Sequence, residues 1–330
     1  MPFPLLRLPL LPFDEVMKTL DFRQLFTISL CSKRMHSVVK NLRDKSIKLT
    51  LTLRVDNKIV IYLLNENQGN HTLLVLTIRE MAEVEQEGWR SEKFEGILFE
   101  ENALGLRTYL ADVEVGARAF IGHMSDVFCA PINYVQLNEK RFFWILKCVE
   151  NLQSPRSYTA VLYADNGLTD DQFRHLFFDL NPSKLYVRTP CEEFQIENHR
   201  ENKKTFLLSY GECVNIENLL TMDCITLHAP NVTFPVAQIN RFLRHVLIDG
   251  GAPTLADFVT QLQDDNETER ILDGIREVLT ANRGREQFEE NGAEWKFSGM
   301  LKRGGGRVAY VSICCEKRMQ PRIFFKRIAP

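Results

Sequence analysis

Apolar residues in the first 45 positions recur with helical spacing. From Asp14 onward they lie three or four residues apart, and the pattern breaks near Asp21 and again near Cys31. Ser32 precedes the last apolar stretch and is a typical N-cap residue. The pattern predicts three short amphipathic helices. Because some forty residues bury little apolar surface by themselves, we expect part of this surface to need a partner.

Shorter apolar runs, typical of strands, begin at residue 46. The predicted strands are IKLTLTLRV, KIVIYLL and HTLLVLTI. Turn residues separate them, Asp56-Asn57 after the first run and an Asn/Gly-rich stretch after the second. Residues 46–135 are therefore predicted to be a β-rich linking region, in which residues 81–130 show no clear period.

Strand and helix patterns alternate from residue 136. The predicted order is helix LNEKRFFWILKCVENL, strand YTAVLYAD, helix TDDQFRHLFFDL, strand SKLYVRT, strand CITLHA, helix PVAQINRFLRHVLIDGG and strand TLADFVTQL. A strand and a helix repeating about every 30 residues are typical of a leucine-rich-repeat-like solenoid. A doubly wound α/β domain is the alternative, although no Gly-rich phosphate turn follows any of these strands.

The last third predicts an acidic helix over residues 267–279 and then a hairpin, whose strands are separated by residues 304–306, all glycine. These glycines lack the strand-to-helix context of a phosphate-binding loop. The predicted fold class is α+β. Its parts are a three-helix segment (1–45), a β-rich linking region (46–135) and an irregular leucine-rich-repeat-like α/β domain with a C-terminal β-hairpin (136–330).

Composition is ordinary for a globular protein, since 45% of the 330 residues are hydrophobic and 25% are charged. The net charge of −2 argues against a dedicated nucleic-acid binder. Charge is unevenly spread, however. Residues 264–294 carry four basic and ten acidic side chains, while residues 301–330 carry eight basic and one acidic. The two stretches either neutralise each other in the fold or form a binding face.

The apolar N terminus fits neither a signal peptide nor a membrane span. Arg7 splits the run, three prolines interrupt it, and no window of about 20 apolar residues exists. We therefore expect an intracellular protein. Its eight cysteines form no Cys-x-x-Cys pair and no zinc-spaced cluster with histidine, so we expect reduced, buried thiols and no metal or other cofactor. No nucleophile, base and orienting group can be argued together, and we expect no enzymatic activity.

The N-terminal segment resembles an F-box. The resemblance rests on Leu8-Pro9, on the run Ser29-Leu30-Cys31-Ser32-Lys33-Arg34 and on the apolar positions between them; Met35 follows where many F-boxes have Trp. F-box helices dock on the Skp adaptor of an SCF (Skp–cullin–F-box) ubiquitin ligase. The resemblance implies adaptor contacts at Leu8, Pro9, Val16, Leu20, Leu25 and Leu30.

A second stretch resembles the type-2 F-box-associated domain of the large nematode F-box families. The matching residues are Asp223-Cys224, Asn240, Phe242-Leu243, Gly251, Pro253 and Leu255. His245 stands where the family usually has Trp, and the C-terminal hairpin also resembles the end of that domain. The two resemblances occur in the expected order along the chain.

Together they imply a non-catalytic substrate receptor, located in the cytoplasm or nucleus. The F-box would bind a Skp-type adaptor and through it a cullin, while the C-terminal domain would bind a protein substrate; neither a membrane nor a nucleic acid is expected as a partner. Solenoid receptors bind on a concave strand surface, which favours Tyr163, Tyr186, Arg188 and His228, although each also fits an ordinary half-buried strand position. The alternatives are a protein-binding scaffold with a degenerate F-box and a small-molecule enzyme on an α/β domain.

Overall fold

The computed structural model divides the chain into two compact units, Met1–Tyr158 and Thr159–Pro330. The predicted domain boundaries after residues 45 and 135 stay predictions; the residues on both sides of each boundary lie in the first unit. The structure describes residues 10–81, 92–94, 97–102, 105–152, 158–163, 167–180, 182–189, 205–208, 215–221, 224–249, 251, 255–262, 268–277, 279–281, 288–290, 293–302, 308–316 and 322–328.

The first unit begins with the three predicted helices and continues as a mixed sheet with further helices. Its helices are α1 (Leu10–Thr19), α2 (Phe22–Leu30), α3 (Lys33–Leu42), α4 (Val113–Val127) and α5 (Trp144–Leu152), with 3₁₀ turns at Glu66–Gln68 and Lys140–Phe142. Its strands are β1 (Leu49–Val55), β2 (Ile59–Asn65), β3 (His71–Glu80), β4 (Glu92–Phe94), β5 (Ile97–Asn102), β6 (Gly105–Leu110) and β7 (Ile132–Leu137).

The sheet of the first unit has the order β4–β5–β6–β3–β2–β1–β7. Strands β1, β2 and β3 are antiparallel to their neighbours in this meander, whereas β6 runs parallel to β3 and β7 runs parallel to β1. Strand β1 alternates Leu and Thr, yet Thr50 and Thr52 are buried along with the leucines. The Thr52 hydroxyl donates to Asn133 Oδ1 at 3.2 Å. The strand is therefore buried on both faces, as expected of a position inside a sheet.

Helix α4 falls in the stretch that shows no clear period in the sequence. The Asp112 side chain caps it by accepting from the Val115 amide at 2.9 Å. Its buried positions, Ala117, Phe120, Ile121, Met124 and Val127, recur at helical spacing. The helix contacts α2, α3 and β3. It therefore supplies a surface on which the N-terminal helices pack.

The second unit combines a parallel sheet with an antiparallel extension. Its strands are β8 (Thr159–Leu162), β9 (Lys184–Val187), β10 (Thr205–Leu208), β11 (Thr226–Thr233), β12 (Asp257–Gln261), β13 (Thr280–Ala281), β14 (Phe288–Glu290), β15 (Ala293–Lys302), β16 (Val308–Glu316) and β17 (Arg322–Ile328). Its helices are α6 (Asp170–Arg174), α7 (Ile216–Thr221), α8 (Val236–Arg244) and α9 (Thr268–Ile271), with π-helical turns at His175–Asp179 and His245–Asp249.

Strands β8 to β12 pair in parallel and in chain order. Strand β17 joins the far side of β12 in antiparallel orientation, followed by β16 and β15. The pairing of β15 with β16 confirms the predicted C-terminal hairpin, whose three glycines lie outside the described residues. Parallel strands that neighbour each other in chain order are the arrangement found in solenoids.

Successive residues of this sheet point to opposite faces. One face is buried and carries Leu185, Leu227, Phe258 and Phe325, each at most 2% exposed. Helix α8 covers part of it, since the rings of Phe242 and Phe258 lie 4.6 Å apart. The alternate positions, among them Lys184, Tyr186, Arg188, His228, Asp257, Arg322, Phe324 and Lys326, are half-buried or exposed. We call this second side the open face.

Helices α6 and α8 end alike, which reveals an internal repeat. Each runs into a π-helical turn that begins with His after Arg and ends with Asp, at His175–Asp179 and at His245–Asp249. The positions match in burial: Leu176 and Phe177 in the first turn, and Val246 and Leu247 in the second, are buried. The repeat supports one structural unit used twice.

Three sequence expectations need correction. Strand β10 lies between the predicted strands SKLYVRT and CITLHA, where the sequence pattern predicts no element. The acidic helix predicted over 267–279 is wrong in length, because α9 covers Thr268–Ile271 and turns follow, with Gly274 at a φ of 64°. The thiols of Cys31 and Cys129 are exposed rather than buried.

Candidate functional site

Capping side chains define where the N-terminal helices begin. Asp21 and Gln24 form a capping box at α2, in which each side chain accepts from the other residue's amide at 2.9 Å. The Ser32 hydroxyl accepts from the Met35 amide at 3.2 Å, which confirms the predicted N-cap of α3. These caps fix the ends of helices that are only 9 and 10 residues long. Short helices depend on such caps and on tertiary packing.

The apolar residues of these helices divide into an inner and an outer set. The inner set is buried: Phe13, Met17, Phe26, Met35 and Val39 are at most 7% exposed. The outer set keeps access to solvent: Val16 is 36% exposed, and Leu20, Leu25 and Leu30 are half-buried. Of the six residues that the F-box resemblance implies for adaptor binding, these four form the outer set. Leu8 and Pro9 lie outside the described residues.

Aromatic rings join the inner side of α2 to α4. The rings of Phe22 and Phe128 lie 5.8 Å apart, and those of Phe26 and Phe120 lie 6.1 Å apart. Phe26 is fully buried and also meets the His123 ring edge-on at 5.8 Å. Aromatic contacts at such distances add to the stability gained by burial. We call this contact between α2, α3 and α4 the seam.

His123 lies at the centre of the seam. Its Nε2 is 2.7 Å from the Ser29 hydroxyl, and its ring packs edge-on against His36 with centroids 4.8 Å apart. Burial lowers the pKa of His123 to about 4, and the neighbouring His36 acts in the same direction. The imidazole is therefore neutral at physiological pH, which suits a position between apolar rings.

Asp126 links α4 to α3 at the edge of the seam. Its carboxylate accepts from Lys40 Nζ at 2.5 Å and lies 2.6 Å from His36 Nε2. The hydrogen bond from Lys40 lowers the pKa of Asp126, and the same contact raises the pKa of Lys40. The seam thus holds the inner side of the N-terminal helices. The residues of the outer set take no part in these contacts.

The four residues predicted for substrate binding lie on the open face of the second unit. Tyr186 and His228 occupy the same row, because each is in register with residue 207 of β10. The Arg188 guanidinium lies 5.8 Å from the centre of the Tyr163 ring, a cation–π distance. The structure therefore pairs Tyr163 with Arg188 and puts all four on one side of the sheet. Their binding role stays a prediction.

His228 has a partner that the sequence did not suggest. Its Nε2 lies 3.0 Å from Asp257 Oδ2, an ion-pair distance. The nitrogen nevertheless makes no hydrogen bond of good geometry with the described residues. Asp257 starts β12, and the parallel register of β11 and β12 puts it beside the row of His228.

Residues that carry the second family resemblance serve the packing of the second unit. Asn240 Nδ2 donates to the carbonyl oxygens of Ile271 and Asp273 at 2.7 and 2.8 Å, which ties α8 to α9. Cys224, Phe242, Leu243 and Leu255 are at most 2% exposed. The His245 ring packs directly against Gly251, so a Cβ at this position would require that ring to move. Asp223 and Pro253 lie outside the described residues.

The first unit contains a cleft with several charged side chains in its lining. It has a volume of about 340 Å³ and is lined by charged residues from the end of β3 and the start of α4. Asp112 is the N-cap of α4, Glu114 pairs with Arg118 at 2.5 Å, and Arg141 pairs with Glu139 at 2.6 Å. Asp112, Glu114 and Arg141 thus have structural roles at the edge of this cleft.

The described residues carry neither a metal-binding cluster nor a membrane-spanning helix. No group of three or more His, Cys, Asp or Glu side chains there is arranged to hold a metal ion. None of the helices described is long and apolar enough to cross a bilayer.

Comparison with known proteins identifies the N-terminal segment. Residues 5–47 match the F-box domain. The chain is also similar to a Caenorhabditis elegans protein described as "Uncharacterized protein F59B2.8", with 42% identity over 57 residues. That match covers 17% of this chain and 13% of the relative. No solved structure matches the chain. Helices α1, α2 and α3 lie within the F-box match. The outer set, and the residues that α2 and α3 contribute to the seam, therefore belong to an F-box.

Proposed function

We propose that this protein is the substrate-recognition subunit of an SCF-type (Skp–cullin–F-box) ubiquitin ligase. In this role the F-box binds a Skp-type adaptor, and through it a cullin, while the second unit binds a protein substrate. The ubiquitin chemistry belongs to the partners, so the chain itself is non-catalytic. Its place of action is the cytoplasm or the nucleus, where such ligases work.

The main support is the outer set within the segment that matches the F-box. F-box domains bind Skp adaptors through apolar side chains, and Val16, Leu20, Leu25 and Leu30 retain access to solvent. The seam meanwhile buries the opposite side against α4. Exposed apolar residues on a firmly held helical segment are what a docking surface requires.

For the second unit we propose an irregular leucine-rich-repeat-like architecture of the type-2 F-box-associated kind. Three observations support it: the parallel strands in chain order, the repeated π-helical turn at His175–Asp179 and His245–Asp249, and the packing roles of Asn240 and Gly251. The open face is then the substrate side, because helices cover part of the opposite face.

The test is co-purification of the full chain with a Skp adaptor, using Val16→Asp as the disrupting change. Val16 is 36% exposed, so a carboxylate there is hydrated in the free protein and stability should change little. In the complex the same carboxylate loses water without gaining a partner. We expect the affinity to fall by ~10-fold or more, in the range of central interface positions.

Val115→Asp is the matched control. Val115 is also a helical valine, is 65% exposed and lies on α4 outside the F-box. It should leave adaptor binding unchanged. Equal losses in both variants would show a general effect of charge and contradict the proposed surface. A folded wild-type chain that binds no adaptor would instead favour a protein-binding scaffold with a degenerate F-box.

A further inference from the structure

Four basic side chains frame the open face of the second unit. Lys184 starts β9 and Arg188 directly follows its last residue, while Arg322 starts β17 and Lys326 lies four residues further along that strand. The register connects Lys184 to Lys326 in one row through Thr205, Thr226 and Asp257, and it puts Arg322 opposite Gln261. Each pair on one strand is four residues apart. The two strands are separated by β10, β11 and β12.

The spacing of this frame follows from strand geometry. Four residues along a strand span about 13 Å, and four steps between neighbouring strands span about 19 Å. The frame is therefore roughly 13 by 19 Å. Part of the C-terminal basic stretch of the sequence, Arg322 and Lys326, forms one side of it. The basic residues at 303, 307, 317 and 318 lie outside the described residues.

Inside the frame lies a row of larger side chains. Tyr186 on β9, His228 on β11 and Phe324 on β17 are all half-buried and share the middle row. Val259 completes the row between His228 and Phe324 and is 8% exposed. A strip with aromatic and apolar character therefore crosses the face between two pairs of cations. Such a strip suits side chains of an extended segment.

The charge of the frame is only partly balanced from within. Among the described open-face side chains of β8 to β12 and β17, Asp257 is the only carboxylate. It lies 3.0 Å from His228. Neither Lys184 nor Lys326 has an ion pair with the described residues, and both are exposed. The Arg188 guanidinium lies against the Tyr163 ring, a contact that leaves N–H groups for a second partner.

We infer that the open face binds an extended, acidic segment of a protein substrate, with acidic groups at both ends and apolar side chains between them. The inference rests on the proposed receptor function and names the class of its substrate. Charge complementarity selects this occupant, because Lys184 and Lys326 are exposed cations on the two sides of the frame, and the carboxylate of Asp257 between them is paired with His228. An extended chain spans the 19 Å between the two basic strands with about six residues.

The experiment measures binding of a dye-labelled peptide of about twelve residues to the full chain by fluorescence anisotropy. The peptide carries two Glu at each end and alternating Leu and Ser between them. A second peptide has Gln in place of Glu, and a single-stranded oligonucleotide of equal charge serves as a third probe. The disrupting variant is Lys184→Glu/Lys326→Glu. The matched control is Lys48→Glu/Lys147→Glu, which reverses two exposed lysines in the first unit.

We expect the acidic peptide to bind, the Gln peptide to bind at least ~10-fold more weakly, and the Lys184→Glu/Lys326→Glu variant to lose at least ~10-fold in affinity. Raising the salt concentration should weaken binding, since these lysines are exposed. Three results would overturn the inference: no binding of the acidic peptide, an equal loss in the control variant, or tighter binding of the oligonucleotide than of the peptide.

Adaptor co-purification with the same variants separates this inference from the proposed function. The open-face variant should keep adaptor binding, because its changes lie outside the F-box. If the chain binds the acidic peptide but no adaptor, the peptide site stands and the ligase role fails. If it binds the adaptor but not the peptide, the ligase role stands and the acidic-substrate inference fails.

Discussion

The protonation of His123 should make the seam sensitive to acid. His123 lies between α2, α3 and α4, where its imidazole meets Ser29, Phe26 and His36. The titratable groups that face it are His36 and Asp126, and Lys40 binds the same carboxylate. Protonating His123 would bury a positive charge beside a second histidine. The change to test is His123→Gln, which keeps an amide for the Ser29 contact and cannot titrate.

The size of the effect follows from the shift in pKa. The pKa of His123 is about 4 in the folded protein against an ordinary value of 6.5. Because the folded pKa is the lower one, the stability contribution is complete above pH 6.5 and is lost as pH falls through about 4. Linkage gives a loss of about 2 kcal/mol between about pH 7.5 and 5, and about 3 kcal/mol when the titration is complete. The pKa of Asp126 is also lowered, so its carboxylate stays charged in this window.

Urea unfolding followed by circular dichroism at both pH values measures this loss, since the helical signal comes largely from α1 to α5. The wild type should lose about 2 kcal/mol more than His123→Gln between the two pH values. His71→Gln is the control, because His71 is exposed at the start of β3, and it should keep the wild-type pH dependence. Identical pH dependence in His123→Gln and the wild type would refute this account of the seam.

Two further changes test the packing of each unit. Gly105 has a φ of 148°, and a Cβ there would lie 2.2 Å from the Val75 carbonyl oxygen, so Gly105→Ala should lower the free energy of unfolding by ~2 kcal/mol or more. Gly69→Ala is the control and should cost less, because Gly69 has a φ of 65° and open space around it. Similar losses of melting temperature in the two variants would contradict this prediction. Asn240→Ala removes both hydrogen bonds from α8 to α9 and should cost ~1–3 kcal/mol in urea unfolding, whereas Gln238→Ala on the same helix should cost little.

Local pattern was enough to predict the elements whose burial is one-sided. The three N-terminal helices, the Ser32 cap and the C-terminal hairpin each follow from apolar period and turn residues, and the structure confirms them. Helix α4 was not predicted, because residues 81–130 as a whole show no clear period. Its own apolar residues nevertheless recur at helical spacing from Ala117 to Val127. The signal was present, and the Asp112 cap marked its start.

Other features depend on contacts between distant residues and leave no local trace. Strand β10 is four residues long and gains its place from β9 and β11 on either side. The approach of His123 to Ser29 spans 94 positions in sequence, and neither residue predicts the other. The frame of cations on the open face likewise requires the register of five strands. Sequence patterns indicated Tyr186, Arg188 and His228 as strand residues, but they did not indicate that β17 joins the same sheet beside β12.

The N-terminal helices bury part of their apolar surface in the seam. A segment of some forty residues is too small for a core of its own, and the sequence alone suggested that a partner protein supplies the rest. The structure shows that part of the answer is internal, because Phe26 and Phe22 pack against rings of α4 and the segment that follows it. Under the proposed function, an external partner covers only the outer set. Stability and docking therefore use different residues of the same helices: changes in the seam should act on unfolding, and changes such as Val16→Asp should act on adaptor binding alone.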